Sequence, residues 1–91
     1  MEIKAVRIHC IGKVQGVSFR AYTLKKCGEL GLFGTVKNLR DGSVEIVAEG
    51  TDSQIDELLT WCDQGSPFSK VDFVHSAEIE VIGYKDFRIL Y

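Results

Sequence analysis

The chain has 91 residues, 45% of them hydrophobic and 26% charged, proportions that exclude a disordered tail and predict one domain over residues 1–91. Eleven basic against thirteen acidic side chains leave a formal net charge of -2, which argues against a generic nucleic-acid binder. No apolar run approaches the ~18 residues of a membrane span, and Met1-Glu2-Ile3-Lys4 meets charge too early for a signal peptide.

Ile3 to Cys10 alternates as a half-buried strand does, with Val6, Ile8 and Cys10 on one face. Gly12 to Phe19 reads as a glycine-punctuated loop. Arg20 to about Leu30 reads as a helix, with Ala21, Leu24 and Cys27 as its apolar spacing and Gly31 as C-cap. Gly34 to Leu39 is a second strand, Asp41-Gly42 a two-residue hairpin turn, and Ser43 to Glu49 a third strand. Thr51 and Gln54 match a capping box ahead of a helix from about Asp52 to Gln64, whose stripe is Ile55, Leu58, Leu59 and Cys62. Gly65-Ser66-Pro67 ends that helix. Val71 to Val81 is a fourth strand, bent or broken around His75, and Phe87, Ile89 and Tyr91 alternate in a short fifth. The order βαββαβ plus a short C-terminal strand predicts an α+β, ferredoxin-like two-layer sandwich. Its sheet is expected to be mostly antiparallel, with both helices on one face.

The cysteines are three and widely spaced, at Cys10, Cys27 and Cys62. They form neither a disulfide framework nor a CxxC or zinc-ligand pattern. Reduced, partly buried thiols in a cytoplasmic protein are the expectation, with no metal and no other cofactor.

Two segments carry residue types suited to chemistry. Gly12-Lys13-Val14-Gln15-Gly16-Val17-Ser18-Phe19-Arg20 joins a strand to a helix N-terminus. Free backbone N–H groups and the positive end of the helix dipole receive anions there, and an arginine adds a forked cation. The GK[ST] ending of a Walker A loop is missing. Alone, the segment fits an ordinary βα connection with a solvated arginine equally well. Val36-Lys37-Asn38-Leu39-Arg40-Asp41-Gly42-Ser43-Val44 places Asn38 at the end of an apolar-patterned strand, where an amide is poorly suited to a strand interior. It would orient a water or ligand, or simply satisfy the strand end.

Taken together, GKVQGVSFR and GLFGTVKNLRDGSVE resemble the two signature segments of the acylphosphatases. The similarity continues through Gly65-Ser66-Pro67 and Phe87-Arg88-Ile89 and spans nearly the whole chain. The resemblance implies the ferredoxin-like fold and hydrolysis of acyl phosphates to a carboxylate and inorganic phosphate. It places the catalytic arginine on Arg20 and the catalytic asparagine on Asn38. It places the phosphate-binding amides on Gln15, Gly16, Val17, Ser18 and Phe19, with Arg20 beside them. A carboxylate leaving group, with a conjugate-acid pKa near ~4, needs no general acid. The expected mechanism therefore needs only the loop and Arg20 to hold charge, Asn38 to orient water, and no metal. Two positions depart from the family pattern. Ser18 stands where prokaryotic relatives often have glycine. Thr35 stands where a large aromatic is common, which predicts less packing and less substrate contact beside Asn38.

The remaining candidates take structural roles. His9 and His75 are expected on strand surfaces, Glu45 and Glu49 facing solvent, Lys25 and Lys26 on a solvated helix face, and Trp61 packed on the core. Ser18 has no paired histidine in either motif and is no nucleophile. A non-catalytic anion- or protein-binding module is the alternative function. An RNA-binding domain is disfavoured because Val44 to Glu49 carries no aromatic and two acids. A metal carrier would need paired cysteines. The expected partners are a small acyl phosphate and inorganic phosphate or a similar anion, with no nucleic acid, no membrane and a monomeric chain.

Overall fold

The structure is a computed structural model and describes residues 2–91. Along the chain run β1 (Lys4–Lys13), α1 (Phe19–Leu30), β2 (Phe33–Asn38), β3 (Val44–Gly50), α2 (Asp52–Gln64), β4 (Lys70–Ile79) and β5 (Phe87–Leu90). The strands form one sheet in the order β4-β1-β3-β2-β5. Only the β2–β5 pair is parallel; β1–β3, β1–β4 and β2–β3 are antiparallel. Ile8, Cys10, Val36, Val44 and Ile46 line the sheet side of the core, and Phe19, Cys27, Ile55, Leu58 and Cys62 close it from the helices. This is the expected ferredoxin-like sandwich, with both helices on one face.

The cysteines are fully rather than partly buried, in that core. Burial pushes the Cys27 thiol up to about 12. A side-chain hydrogen bond with Cys10, then burial, raise Cys62 as well. Thiols held protonated in this way are packing groups at neutral pH, not nucleophiles.

Helix α2 follows its sequence signals. Thr51 Oγ1 accepts from Gln54 N–H at 3.3 Å and Gln54 Oε1 accepts from Thr51 N–H at 2.8 Å, closing the capping box. Helix α1 departs from them. Its buried residues are Phe19, Thr23 and Cys27, while Ala21 and Leu24 are exposed. The true stripe runs at i, i+4, i+8 and includes a threonine, whose hydroxyl is satisfied inside the helix by Phe19 O at 2.8 Å. A hydrophobicity pattern discounts such a residue.

The strands also differ in detail. β1 continues to Lys13, beyond the expected end at Cys10, because Gly12 (φ 138°) lets its backbone pass close to Lys70. β4 runs unbroken through His75 and ends at Ile79; the register shifts where Ile11 and Gly12 face Phe73 and Val71, leaving Asp72 of β4 as the extra residue. The β2–β3 turn has three residues instead of two. Leu39 N–H donates to Ser43 O at 2.9 Å across the loop Arg40-Asp41-Gly42. Only Gly42 takes a positive φ, whereas a two-residue type I′ turn requires two such residues.

Glu49 does not face solvent. It is 3% exposed, and its carboxylate accepts N–H bonds from Ile82 (2.6 Å), Gly83 (3.1 Å) and Tyr84 (2.9 Å). The topology explains this. β4 and β5 occupy opposite edges of the sheet, about 19 Å apart at ~4.8 Å per strand spacing. Residues 80–86 must cross that distance, and Glu49 on the central strand holds them midway. Glu45 keeps a partly exposed place, with His9 Nε2 3.5 Å away. His75 is exposed and Trp61 packs against the core, tilted against Phe19 at 5.4 Å.

Candidate active site

The loop between β1 and α1 ends in an unusual helix start. Ser18 is the N-cap with φ 61° and ψ 23°, and its side chain makes no capping hydrogen bond. An N-cap normally lies in the extended region and caps the first turn with its own oxygen. Here the first helical bond is Tyr22 N–H to Ser18 O at 3.1 Å, which leaves the N–H groups of the first turn without side-chain caps. Those groups, and the dipole behind them, are suited to an anion.

A cavity of about 310 Å³ opens at this helix start. Gly16, Ser18, Phe19, Arg20 and Asn38 line it, so the structure brings together most of the residues singled out in the two motifs. Gln15 and Val17 do not line it. The Gln15 side chain turns instead to the β2–β3 hairpin, donating to Leu39 O at 2.7 Å and Ser43 O at 2.9 Å. Val17 O accepts the Ser66 hydroxyl at 2.9 Å. The Phe19 ring is buried in the core, so only its backbone is available to a ligand. Gly16 has φ 72° and open space where a Cβ would stand; the demand for glycine there is conformational.

Arg20 is held from the far end of the chain. Its Nη1 donates to Leu90 O at 3.5 Å, and its guanidinium carbon lies 4.9 Å from the Tyr91 ring centroid, a cation–π contact. Parallel pairing of β5 with β2 brings this about by setting Leu90 beside Lys37, one residue before Asn38. Asn38 occupies the last position of β2, opposite Val44. Its Oδ1 is buried and has no hydrogen-bond partner among the described residues. Thr35 does not bear on the cavity. It lies on the other face of β2 from Asn38, buried across from Val47, so the missing aromatic removes no wall of the site.

Sequence reasoning missed Val14, Ala21, Ile89 and Tyr91 as cavity walls, and Ser66 as a support of the loop. Tyr91 and Ser66 gave no local signal, since their partners Arg20 and Val17 are remote in sequence. Ala21 was assigned to the core stripe of α1, and the four-residue spacing from Phe19 through Thr23 would have moved it out. Among the described residues no group of three or more potential ligands is arranged to hold a metal ion. No described helix is long and apolar enough to cross a membrane.

A two-helix ferredoxin-like sandwich with a helix N-terminus and an arginine opening on one cavity is an anion-handling architecture. The family model described as acylphosphatase matches residues 6–89. An acylphosphatase of Methylococcus capsulatus is 44% identical over 97% of each chain. The acylphosphatase structures from Coxiella burnetii and Bacillus subtilis superpose with TM-scores of 0.94 each. They are 43% and 37% identical, over 97% and 99% of this chain and 93% and 100% of theirs. The chain therefore belongs to the acylphosphatase family and is an enzyme of that class.

Proposed function

We propose that the cavity between the β1–α1 loop and the end of β2 hydrolyses acyl phosphates with Arg20 and Asn38 as catalytic residues. The uncapped N–H groups of the loop and first helical turn take the phosphate oxygens of the substrate. Arg20 adds a permanent charge with forked donors. Water oriented by the Asn38 side-chain amide attacks phosphorus. The bond from phosphorus to the acyl oxygen breaks and the carboxylate departs unprotonated. The proton of the attacking water passes to a phosphate oxygen or to solvent. The loop and Arg20 stabilise the charge on the transferring group. The acyl portion faces Ala21, Ile89 and Tyr91.

The observation that carries the reading is that Arg20, Asn38 and the uncapped start of α1 line one cavity.

The test is turnover of benzoyl phosphate by wild type and Arg20→Ala in excess EDTA. The expected result is wild-type turnover indifferent to chelator, with turnover and inorganic-phosphate binding both largely lost in Arg20→Ala. A folded wild type that binds phosphate without turnover would mark a binding module. Loss with EDTA and rescue by a divalent ion would refute the metal-free mechanism.

A further inference from the structure

We infer that the Gln15 side chain is a positioning residue that sets Asn38 against the phosphate loop; the inference rests on the function proposed above. Gln15 Nε2 donates to Leu39 O at 2.7 Å and to Ser43 O at 2.9 Å. Both partners are carbonyl oxygens, so only the NH2 end of the amide can face them. Leu39 follows Asn38, and Ser43 precedes Val44, the residue paired with Asn38. Leu39 N–H also donates to Ser43 O at 2.9 Å. One amide thus uses both its protons on the two strands of the hairpin, one residue beyond the Asn38–Val44 pair.

Among the described residues, Gln15 is the only side chain whose hydrogen bonds tie the segment 14–18 to the hairpin carrying Asn38. The loop's other side-chain tie, Ser66 to Val17 O, leads to the turn after α2. Gln15 does not line the cavity, while its neighbour Gly16 does. Its influence on the reaction therefore passes through the distance between the phosphate held at the loop and the water held by Asn38. Attack geometry is sensitive to such a distance: a misplacement of about 1 Å costs about 10²-fold in rate. A carboxylate in place of the amide would set oxygens against two carbonyl oxygens, and an alkyl chain would leave both carbonyls without this donor.

The experiment measures kcat, KM and inorganic-phosphate inhibition with benzoyl phosphate for wild type, Gln15→Leu, Gln15→Glu, Asn38→Ala and the double variant Gln15→Leu/Asn38→Ala. Gln15→Leu is expected to lower kcat about 10–100-fold, with phosphate affinity kept within about threefold. Residues acting through one contact are not additive, so the same substitution in the Asn38→Ala background is expected to cost less than about threefold. A full second loss in that background, or phosphate affinity falling in step with kcat, would overturn the assignment. The Asn38 side-chain amide resonances in a 15N spectrum, read without substrate, give an arm independent of turnover. They are expected to shift in Gln15→Leu, and unchanged resonances would overturn the positioning role whatever the kinetics. An inactive wild type counts against the proposed function, and the spectrum then decides the role of Gln15 by itself. If Gln15→Leu fails to fold, Gln15→Asn, which keeps the amide but shortens its reach, is read against the same outcomes.

Discussion

Ser18 is the one residue other than glycine with a positive φ among the described residues. An L-residue in that region is disfavoured by roughly 1–2 kcal/mol, and glycine removes the Cβ that causes it. Glycine also gives the unfolded chain more freedom, which offsets part of the gain. Ser18→Gly is therefore expected to stabilise the fold by about 0.5–1 kcal/mol, raising Tm by a few degrees for a domain of this size. A lowered Tm in a thermal melt would mean that the serine side chain supports the loop. At this scale the sequence was informative about Arg20 and Asn38, which now line one cavity. The resemblance to the two acylphosphatase segments marked them, whereas residue type and spacing alone left each open. The sequence was silent on Tyr91 and Ser66, because what matters about each is a partner far along the chain.

The elements were legible wherever their signals are local. The capping box of α2 is a short-range exchange of hydrogen bonds, and it forms between the two residues that announce it. The hairpin was placed correctly by Asp41-Gly42 but came out one residue longer, since a lone Gly42 with positive φ suits a three-residue loop. The larger miss was Glu49. Alternation along β3 places it with Glu45, away from the helices, yet the β4–β5 connection covers that end of the sheet and takes the carboxylate as a common acceptor for three successive N–H groups. Hydrogen bonds to a charged group contribute about 1.5–3 kcal/mol. Glu49→Gln keeps the shape but exchanges one acceptor oxygen for a donor, so a loss of about 2 kcal/mol is expected, or ~10 °C in Tm. An unchanged melting curve would show that the crossing segment holds its course without Glu49.

On the scale of the whole molecule, the site depends on topology more than on any one element. α1 presents its N-terminus at one end of the sandwich, the antiparallel β2–β3 hairpin brings Asn38 there, and parallel β5 returns Leu90 and Tyr91 to Arg20. The alternation of helices and strands made the sandwich readable, because apolar periodicity is a local consequence of burial. The order β4-β1-β3-β2-β5, and with it the cavity walls, depends on contacts between distant segments and leaves no periodic trace. The division of labour in the cavity is the central claim: the loop and Arg20 hold the phosphate while Asn38 holds the water. It is tested most directly by kcat for benzoyl phosphate and the inhibition constant for inorganic phosphate in Asn38→Ala. The expected result is kcat lowered about 10²–10³-fold, the scale on which a single transition-state hydrogen bond acts, with the phosphate constant changed only a few-fold. An unchanged kcat, or a phosphate constant that worsens by the same factor as kcat, would contradict it.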